Sequence, residues 1–309
     1  MQTRFSWCPH LTRLMTVREV ADYLSLKERK VYALAKSGAI PGSRVAGKWL
    51  FPQDLVDRWV GSGLGVAMEA QPTHAAAPPV VGGSHDPLLE WALRESQCGL
   101  ALMAGGSRDG LRRLAASEVM VCGTHLPNPG GEGYNTHALQ AVLGHAPVVL
   151  LQWAWRQQGI VLAPGNPLGI TGLEGLATGG DSAARVILRE EAAGTHALLQ
   201  ELLAARGLGM ADLRVTPRTA RTQTEVGLAI MAGDADAGVA VESVARQLKL
   251  DFVPLRRERY DLALRRRDYF EPPFQKLMAF ARSAAFAEGA RAMAGYDTTG
   301  LGTVIHNGP

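Results

Sequence analysis

The chain has little cysteine. Cys8, Cys98 and Cys122 are an odd number without CxxC spacing, which argues against a disulfide framework or a structural zinc and predicts reduced thiols. No run of 18 or more apolar residues occurs and no charged-then-apolar leader opens the chain, so a soluble, cytoplasmic protein is expected. Nucleotide-triphosphatase chemistry is disfavoured, because Gly105-Gly106-Ser107 is not followed by Gly-Lys-Ser/Thr. His85, His125, His137 and His196 sit at loops or helix starts but lack HxxxH or HxH spacing; polar loop histidines are expected rather than a metal site. No Ser-His-Asp order, activated cysteine or carboxylate pair stands out, so binding rather than catalysis is expected, with no cofactor. No repeat of 20–50 residues is evident.

What is present divides the chain. At 309 residues, 47% apolar and 20% charged, it is long enough for two or three domains with sizeable cores. Residues 1–60 carry 10 Lys/Arg against 5 Asp/Glu, whereas the remainder carries 22 against 24. A basic head on a near-neutral body suits a protein in which only the head meets a polyanion.

Val17, Val20, Ala21 and Leu24 recur at helical spacing, with Thr16 and Glu19 placed as a capping box. Ser25-Leu26 make a turn and a second helix is predicted over Lys27–Lys36, ended by Gly38 and Pro41. A hairpin turning at Ala46-Gly47 and a short helix over Pro52–Val60 follow. A second helix that opens on cationic and hydroxyl-bearing side chains suits the major groove, with flanking Lys and Arg on phosphates. The candidate DNA contacts are Lys27, Arg29, Lys30, Tyr32, Lys36, Arg44, Lys48 and Trp49. The alternative for such a charge run is a solvated face. Residues 1–14 show no period.

Residues 61–79 (GSGLGVAMEAQPTHAAAPP) read as a linker. From Val80 short apolar runs alternate with helical stretches, the signature of a parallel sheet. Strands are expected at Val80–Val81, Leu100–Met103, Val119–Cys122, Val148–Gln152, Arg185–Leu188 and Leu213–Thr216. One long helix is expected over Phe274–Ala287. Several strands end in a Gly-plus-hydroxyl loop before a helix: Gly83-Ser84, Gly106-Ser107, Gly123-Thr124 and Gly194-Thr195. Helix N-termini favour anions. Ordinary N-caps explain any single loop, whereas several at the carboxyl ends of strands in one sheet mark a ligand crevice. Trp153 and Trp155 around Arg156 are expected to pack. Arg256, Arg257, Arg259 and Arg265–Arg267 are expected at solvated strand ends or an oligomer surface, and Asp234 to Asp236 shape a turn.

Residues 15–60 resemble the excisionase/MerR-type winged helix-turn-helix through Thr16, Glu19, Val20, Ala21, Tyr23 and Leu24, then Val31, Tyr32, Leu34, Gly38, Ile40, Pro41, Gly47, Trp49 and Phe51. Leu50 stands where that family commonly has Arg, which moves base reading toward the second helix. Residues 80–300 resemble the type 2 periplasmic-binding-protein-like domain through GSHDPLLE, GGSRDGL, EGYN, QQGIVLAPGNP, GDADAGVAVESVA, LDFVPLRRERYDL and GYD. The implied fold is multi-domain, a small winged head plus a two-lobed α/β body. The resemblance also implies a small oxyanion between the lobes, molybdate or tungstate first, with Ser84, Ser107 and Thr195 as ligating groups. The wider candidate set is His85, Arg108, Thr124, Asn135, Arg189, Gly194, His196 and Tyr260, the last closing the cleft. The function implied is a one-component regulator that binds operator DNA as a dimer. The alternatives are a sensor of an organic metabolite gripped by Arg189 and His196, or an enzyme or carrier of molybdenum-cofactor metabolism.

Overall fold

The computed structural model describes residues 14–37, 39–45, 47–53, 56–57, 59–60, 77–131, 133–144, 146–177 and 183–308. The chain divides into two compact units, 1–75 and 76–309.

In the first unit β1 (Leu14–Thr16) leads into α1 (Val17–Tyr23) and α2 (Glu28–Lys36), followed by β2 (Ser43–Val45) and β3 (Lys48–Pro52). The capping box is formed: the Thr16 hydroxyl accepts from Glu19 N–H at 3.3 Å and Glu19 accepts from Thr16 N–H at 2.8 Å. The strand over 14–16 was not expected. It pairs antiparallel with β3, so the sheet has the order β1-β3-β2 rather than being a lone hairpin. Its burial pattern is one inward Met15 between two exposed residues, too short for a period-2 signal. Met15, Val20, Val31, Ala35, Ile40, Phe51 and Val56 form the core. The expected helix stop at Gly38, the turn residue Ala46 and the packing of Leu55 lie outside the described residues.

The second unit carries one ten-stranded mixed sheet. Its first lobe is built from β4 (Val80–Ser84), α3 (Pro87–Ser96), β5 (Ala101–Gly105), α4 (Ser107–Ala115), β6 (Val121–Thr124) and α5 (Thr136–Leu143). The 15-residue strand β7 (Val148–Leu162) then runs into the second lobe. That lobe holds α6 (Glu174–Ala177), β8 (Arg185–Arg189), α7 (Gly194–Ala204), β9 (Arg214–Ala220), α8 (Gln223–Met231), β10 (Ala237–Val241) and α9 (Glu242–Gln247). An equally long strand, β11 (Asp251–Arg265), returns to the first lobe, where α10 (Pro272–Ala281), α11 (Ala284–Ala292), β12 (Tyr296–Asp297) and β13 (Val304–Asn307) complete it.

The strand order β5-β4-β6-β11-β7-β10-β8-β9 makes the antiparallel pair β7–β11 the spine shared by both lobes. Residues 261–264 of β11 pair with β6 in one lobe, and residues 158–162 of β7 pair with β10 in the other. The parallel-sheet expectation therefore holds for β4, β5, β6, β8, β9 and β10 among themselves and fails at the spine. Val148–Gln152 is the first third of β7, the 119–122 run is strand from Val121, and Phe274–Ala287 breaks into two helices at Ser283, which caps the second through Phe286 N–H. The linker ends earlier than 79, since Ala77 is buried in the first-lobe core and Pro79 O accepts from Ala101 N–H.

Close approach of backbones dictates two glycines. Gly83 has φ +91° and a Cβ there would overlap the Gly123 carbonyl. At Gly106 a Cβ would overlap the Ala192 carbonyl of the opposite lobe. Among the described residues no helix is long and apolar enough to cross a membrane.

Candidate ligand cleft and nucleic-acid face

Where the spine passes between the lobes, the inward face of β7 and β11 is polar. Arg156, Gln158 and Glu258 are at most 1% exposed. Arg156 Nε–H donates to Glu258 Oε1 at 2.8 Å, and its Nη2 approaches the same oxygen at 2.7 Å as an ion pair. Its Nη1–H donates to Asp86 Oδ2 at 2.8 Å. Asp86 is also the N-cap of α3, accepting from Leu89 N–H, and it receives the Tyr296 hydroxyl at 2.7 Å. The guanidinium lies 4.5 Å from the Tyr260 ring centre. A buried charge survives only with such partners. Burial alone would raise the Glu258 carboxyl, but the Arg156 charge and the hydrogen bonds from His125 and Gln158 outweigh it and hold it below the usual carboxylate range.

From Glu258 the network continues into the first lobe. His125 Nδ1 lies 3.0 Å from Glu258 Oε2, and His125 Nε2 lies 2.8 Å from Ser84 Oγ. Burial lowers the imidazole's pKa, opposed by Glu258 and reinforced by the Arg156 charge, so the ring is neutral. Tyr260 stacks beneath that ring at 6.1 Å and donates to Ser84 O. His125 N–H donates to Ser107 Oγ at 3.3 Å.

The second lobe meets this group through two helix starts. A Cβ on Gly194, the first residue of α7, would sit 2.5 Å from the His125 ring. Thr195 Oγ1 accepts from Gln223 Nε2 at 3.1 Å and Gln158 Nε2 at 3.4 Å. Gln223 starts α8; its Oε1 accepts from Val241 N–H, and its own N–H donates to His85 Nδ1 at 3.3 Å. Among the described residues neither α4 nor α7 has a side-chain cap, and the Gly106–Ala192 approach sets their N-termini against each other. Two uncapped positive dipole ends facing across a buried seam favour an anion between them.

Arg189, 3% exposed, stands at the end of β8. Its Nε and Nη2 donate to Ala220 O and Arg221 O, while Nη1 is buried without a hydrogen-bond partner among the described residues. Burial, then the Arg156 charge, lowers its pKa to about 10.

Ser84, His85, Ser107, Arg189, Gly194 and Thr195 are thus brought to one seam. The other expected residues are not. Arg108 is exposed on α4. Thr124 and Asn135 bond each other at 3.0 Å, and Asn135 turns on to Asp261 at 2.8 Å, bracing the first lobe. His196 Nδ1 donates to Arg189 O at 3.0 Å, which commits the His196 side of the organic-metabolite grip to a backbone bond and leaves only Arg189 Nη1 of that pair. Tyr260 is the floor of the cleft, not its lid. Trp153 is buried as expected, while Trp155 lies between Tyr134 and Arg257. Arg265 is not at a solvated end: it is buried and donates to Leu114 O and Ser117 Oγ. Asp236 of the expected turn pairs with Arg185 at 2.7 Å.

Sequence reasoning missed Arg156, Gln158, Glu258, Asp86 and Gln223, and took His125 only as a loop histidine. Ser84, His125 and Glu258 are 41 and then 133 positions apart, so no motif joins them. One signal was present: a lone Arg156 between two tryptophans in an apolar strand has to find a counter-charge.

On the head, a concave surface of ≈ 700 Å³ is lined by the start of α1, by Tyr32 and Lys36 of α2, and by Arg44, Lys48 and Trp49 of the wing. Trp49 stacks on Phe51 at 6.2 Å, which fixes the wing aromatic. Lys27, Arg29 and Lys30 are exposed at the opening of α2 but do not line this groove.

A PBP superfamily domain model matches residues 90–282. The chain belongs to the PBP superfamily. A helix-turn-helix domain model matches residues 14–63. The uncharacterized protein YvgK of Bacillus subtilis (strain 168) is 26% identical over 310 residues, covering 95% of this chain and 98% of its own length. An uncharacterized protein encoded in the 5' region of a ferredoxin 2Fe-2S gene of Clostridium pasteurianum is 28% identical over 109 residues, covering 35% of this chain and 96% of its own length. Among solved structures, a Clostridium perfringens protein described as a phosphate ABC transporter substrate-binding protein with bound phosphate superposes with TM-score 0.51 at 13% identity. It covers 69% of this chain and 96% of that one, a likeness of fold. A helix-turn-helix domain joined to a PBP superfamily domain is the composition of a ligand-binding, DNA-binding regulator.

Proposed function

We propose that the protein is a cytoplasmic one-component transcriptional regulator whose cleft takes a small oxyanion as effector, molybdate and tungstate being the candidates the family resemblance implies. The observation that carries this reading is the pair of uncapped helix N-termini, α4 and α7, set against each other with the unclaimed Arg189 Nη1 nearby. The spine's own charges are already compensated, Arg156 by Glu258 and Asp86, and so need no ligand. The head is read as an operator-binding element acting as a homodimer, since one small module buries too little surface for tight specific binding. The lobes close on the anion at the Gly106–Ala192 approach, and that closure is the signal passed to the head. The protein is read as a binder rather than an enzyme: the Ser84–His125–Glu258 order has nucleophile–base–acid spacing, but all three side chains are buried in the seam.

The test is a thermal-shift and calorimetric panel of molybdate, tungstate, sulfate and phosphate. An effector present at about one hundred times its Kd stabilises the folded chain by about 2.7 kcal/mol. Absence of binding by any oxyanion to folded protein contradicts the reading.

A further inference from the structure

The hydrogen-bond polarity of the cleft can be worked out donor by donor. Glu258 is an ionised carboxylate and acceptor-only: Arg156 and Gln158 donate to its Oε1, and the Arg156 charge favours the ionised form. The hydrogen between His125 Nδ1 and Glu258 Oε2 therefore belongs to the imidazole. A neutral imidazole has one N–H, so His125 Nε2 is a bare lone pair, and the hydrogen in the 2.8 Å contact with Ser84 is the serine's own. Burial, opposed by Glu258 and reinforced by the nearby Arg156 and Arg189 charges, lowers the ring's affinity for a second proton. Ser84 thus faces the cleft with lone pairs only.

The neighbouring groups have the opposite polarity. Thr195 Oγ1 already accepts from two amides. The orientations of those amides are fixed by Val241 N–H on Gln223 Oε1 and by Glu258 on Gln158 Nε2. Its hydrogen is free to be donated. Ser107 Oγ accepts from His125 N–H and keeps its own hydrogen likewise. Arg189 Nη1 adds further donors. The cleft presents several donors, Ser84 as an acceptor fixed by His125, and Gln158 Oε1, buried without a partner among the described residues.

We infer that this cleft selects, within the oxyanion class, a tetrahedral anion that retains a proton, with the chemistry of hydrogen phosphate or hydrogen arsenate, and that Ser84, polarised by His125 and Glu258, is the specificity-determining acceptor. A protonated anion donates to Ser84 and accepts from Thr195, Ser107 and Arg189. A fully ionised tetraoxyanion sets its lone pairs against those of Ser84. Charge does not discriminate among these anions, since hydrogen phosphate, sulfate and molybdate are all dianions, and Arg156 and Arg189 are matched by Asp86 and Glu258 around the seam; the selection rests on the Ser84 contact. The inference rests on the oxyanion reading above and narrows it away from molybdate and tungstate.

The test is calorimetry on the full chain near neutral pH with phosphate, arsenate, sulfate, molybdate and tungstate. Phosphate and arsenate should bind at least about tenfold tighter than sulfate and molybdate, the scale of one hydrogen bond to a charged group. Equal or tighter binding of the proton-free anions overturns the acceptor assignment while leaving the oxyanion reading intact. No binding by any of the five overturns both. His125→Phe releases the Ser84 hydrogen, and its preference for phosphate over sulfate should fall to within about threefold; an unchanged preference excludes Ser84 as the selector. Nitrogen NMR of the folded chain checks the polarity without ligand. It should show His125 protonated at Nδ1 and bare at Nε2, and the opposite tautomer or an imidazolium contradicts the inference.

Discussion

The Arg156 guanidinium lies 2.7 Å from the Glu258 carboxylate, and neither side chain reaches solvent. Register places them opposite each other on β7 and β11, the strands both lobes share. Removing one partner leaves the other charge buried and unpaired, at roughly 3–5 kcal/mol. Arg156→Leu should therefore lower the unfolding free energy by that amount in urea melts. Arg156→Lys should recover only part of it, because a point charge cannot reach Glu258 and Asp86 with a planar fork. Full stability of either variant contradicts this account of the spine.

Asp261 supplies a pH signature. Burial, opposed by Arg259 and Asn135, raises its carboxyl from 3.8 to about 6. With a folded pKa above the unfolded one, the native state takes up its proton first. Its contribution to stability grows as pH falls through 6 and is lost as pH rises above it. Relative to Asp261→Asn, the wild-type chain should gain about 2–3 kcal/mol between about pH 7 and pH 4. A pH-independent difference between the two melts shows that Asp261 titrates normally.

Gly106 tests closure. Its φ of −96° suits any residue, so Gly106→Ala costs the first lobe little by itself. The added methyl would overlap a carbonyl of the opposite lobe, which no rotamer change relieves. The variant should stay folded, hold the lobes further apart in small-angle scattering, and bind effector at least about tenfold more weakly, since a misfit of one methyl is worth about 1–3 kcal/mol. Unchanged scattering and affinity show that the seam is not the moving part.

Much of this was legible in sequence. The head could be read because its capping box, helical periods and wing residues are local, and the glycine-hydroxyl loops marked the ends of β4, β5 and β8 for the same reason. The spine could not. Arg156, Gln158 and Glu258 become neighbours only through a strand pairing across 102 positions, and β11 reads as arginine-rich surface until its partner is known. Tyr260 and Asn135 were placed at the cleft by resemblance, and packing turned one into its floor and the other into a brace.

On the head, Lys36, Arg44 and Lys48 line one groove. Alanine at each should reduce the slope of log affinity against log salt by roughly 0.9 for every phosphate that is no longer neutralised. If slopes fall only for Lys27, Arg29 and Lys30, the duplex lies along the opening of α2 instead of in the groove.

The most direct test of the central claim, that an anion in the cleft governs the DNA-binding head, is fluorescence anisotropy of the full chain on its operator with and without saturating phosphate, molybdate or tungstate. The account predicts that whichever anion binds changes DNA affinity by at least about fivefold, the lower end of useful coupling free energies, and that Gly106→Ala flattens this response. An anion that saturates the cleft yet leaves DNA affinity unchanged contradicts it.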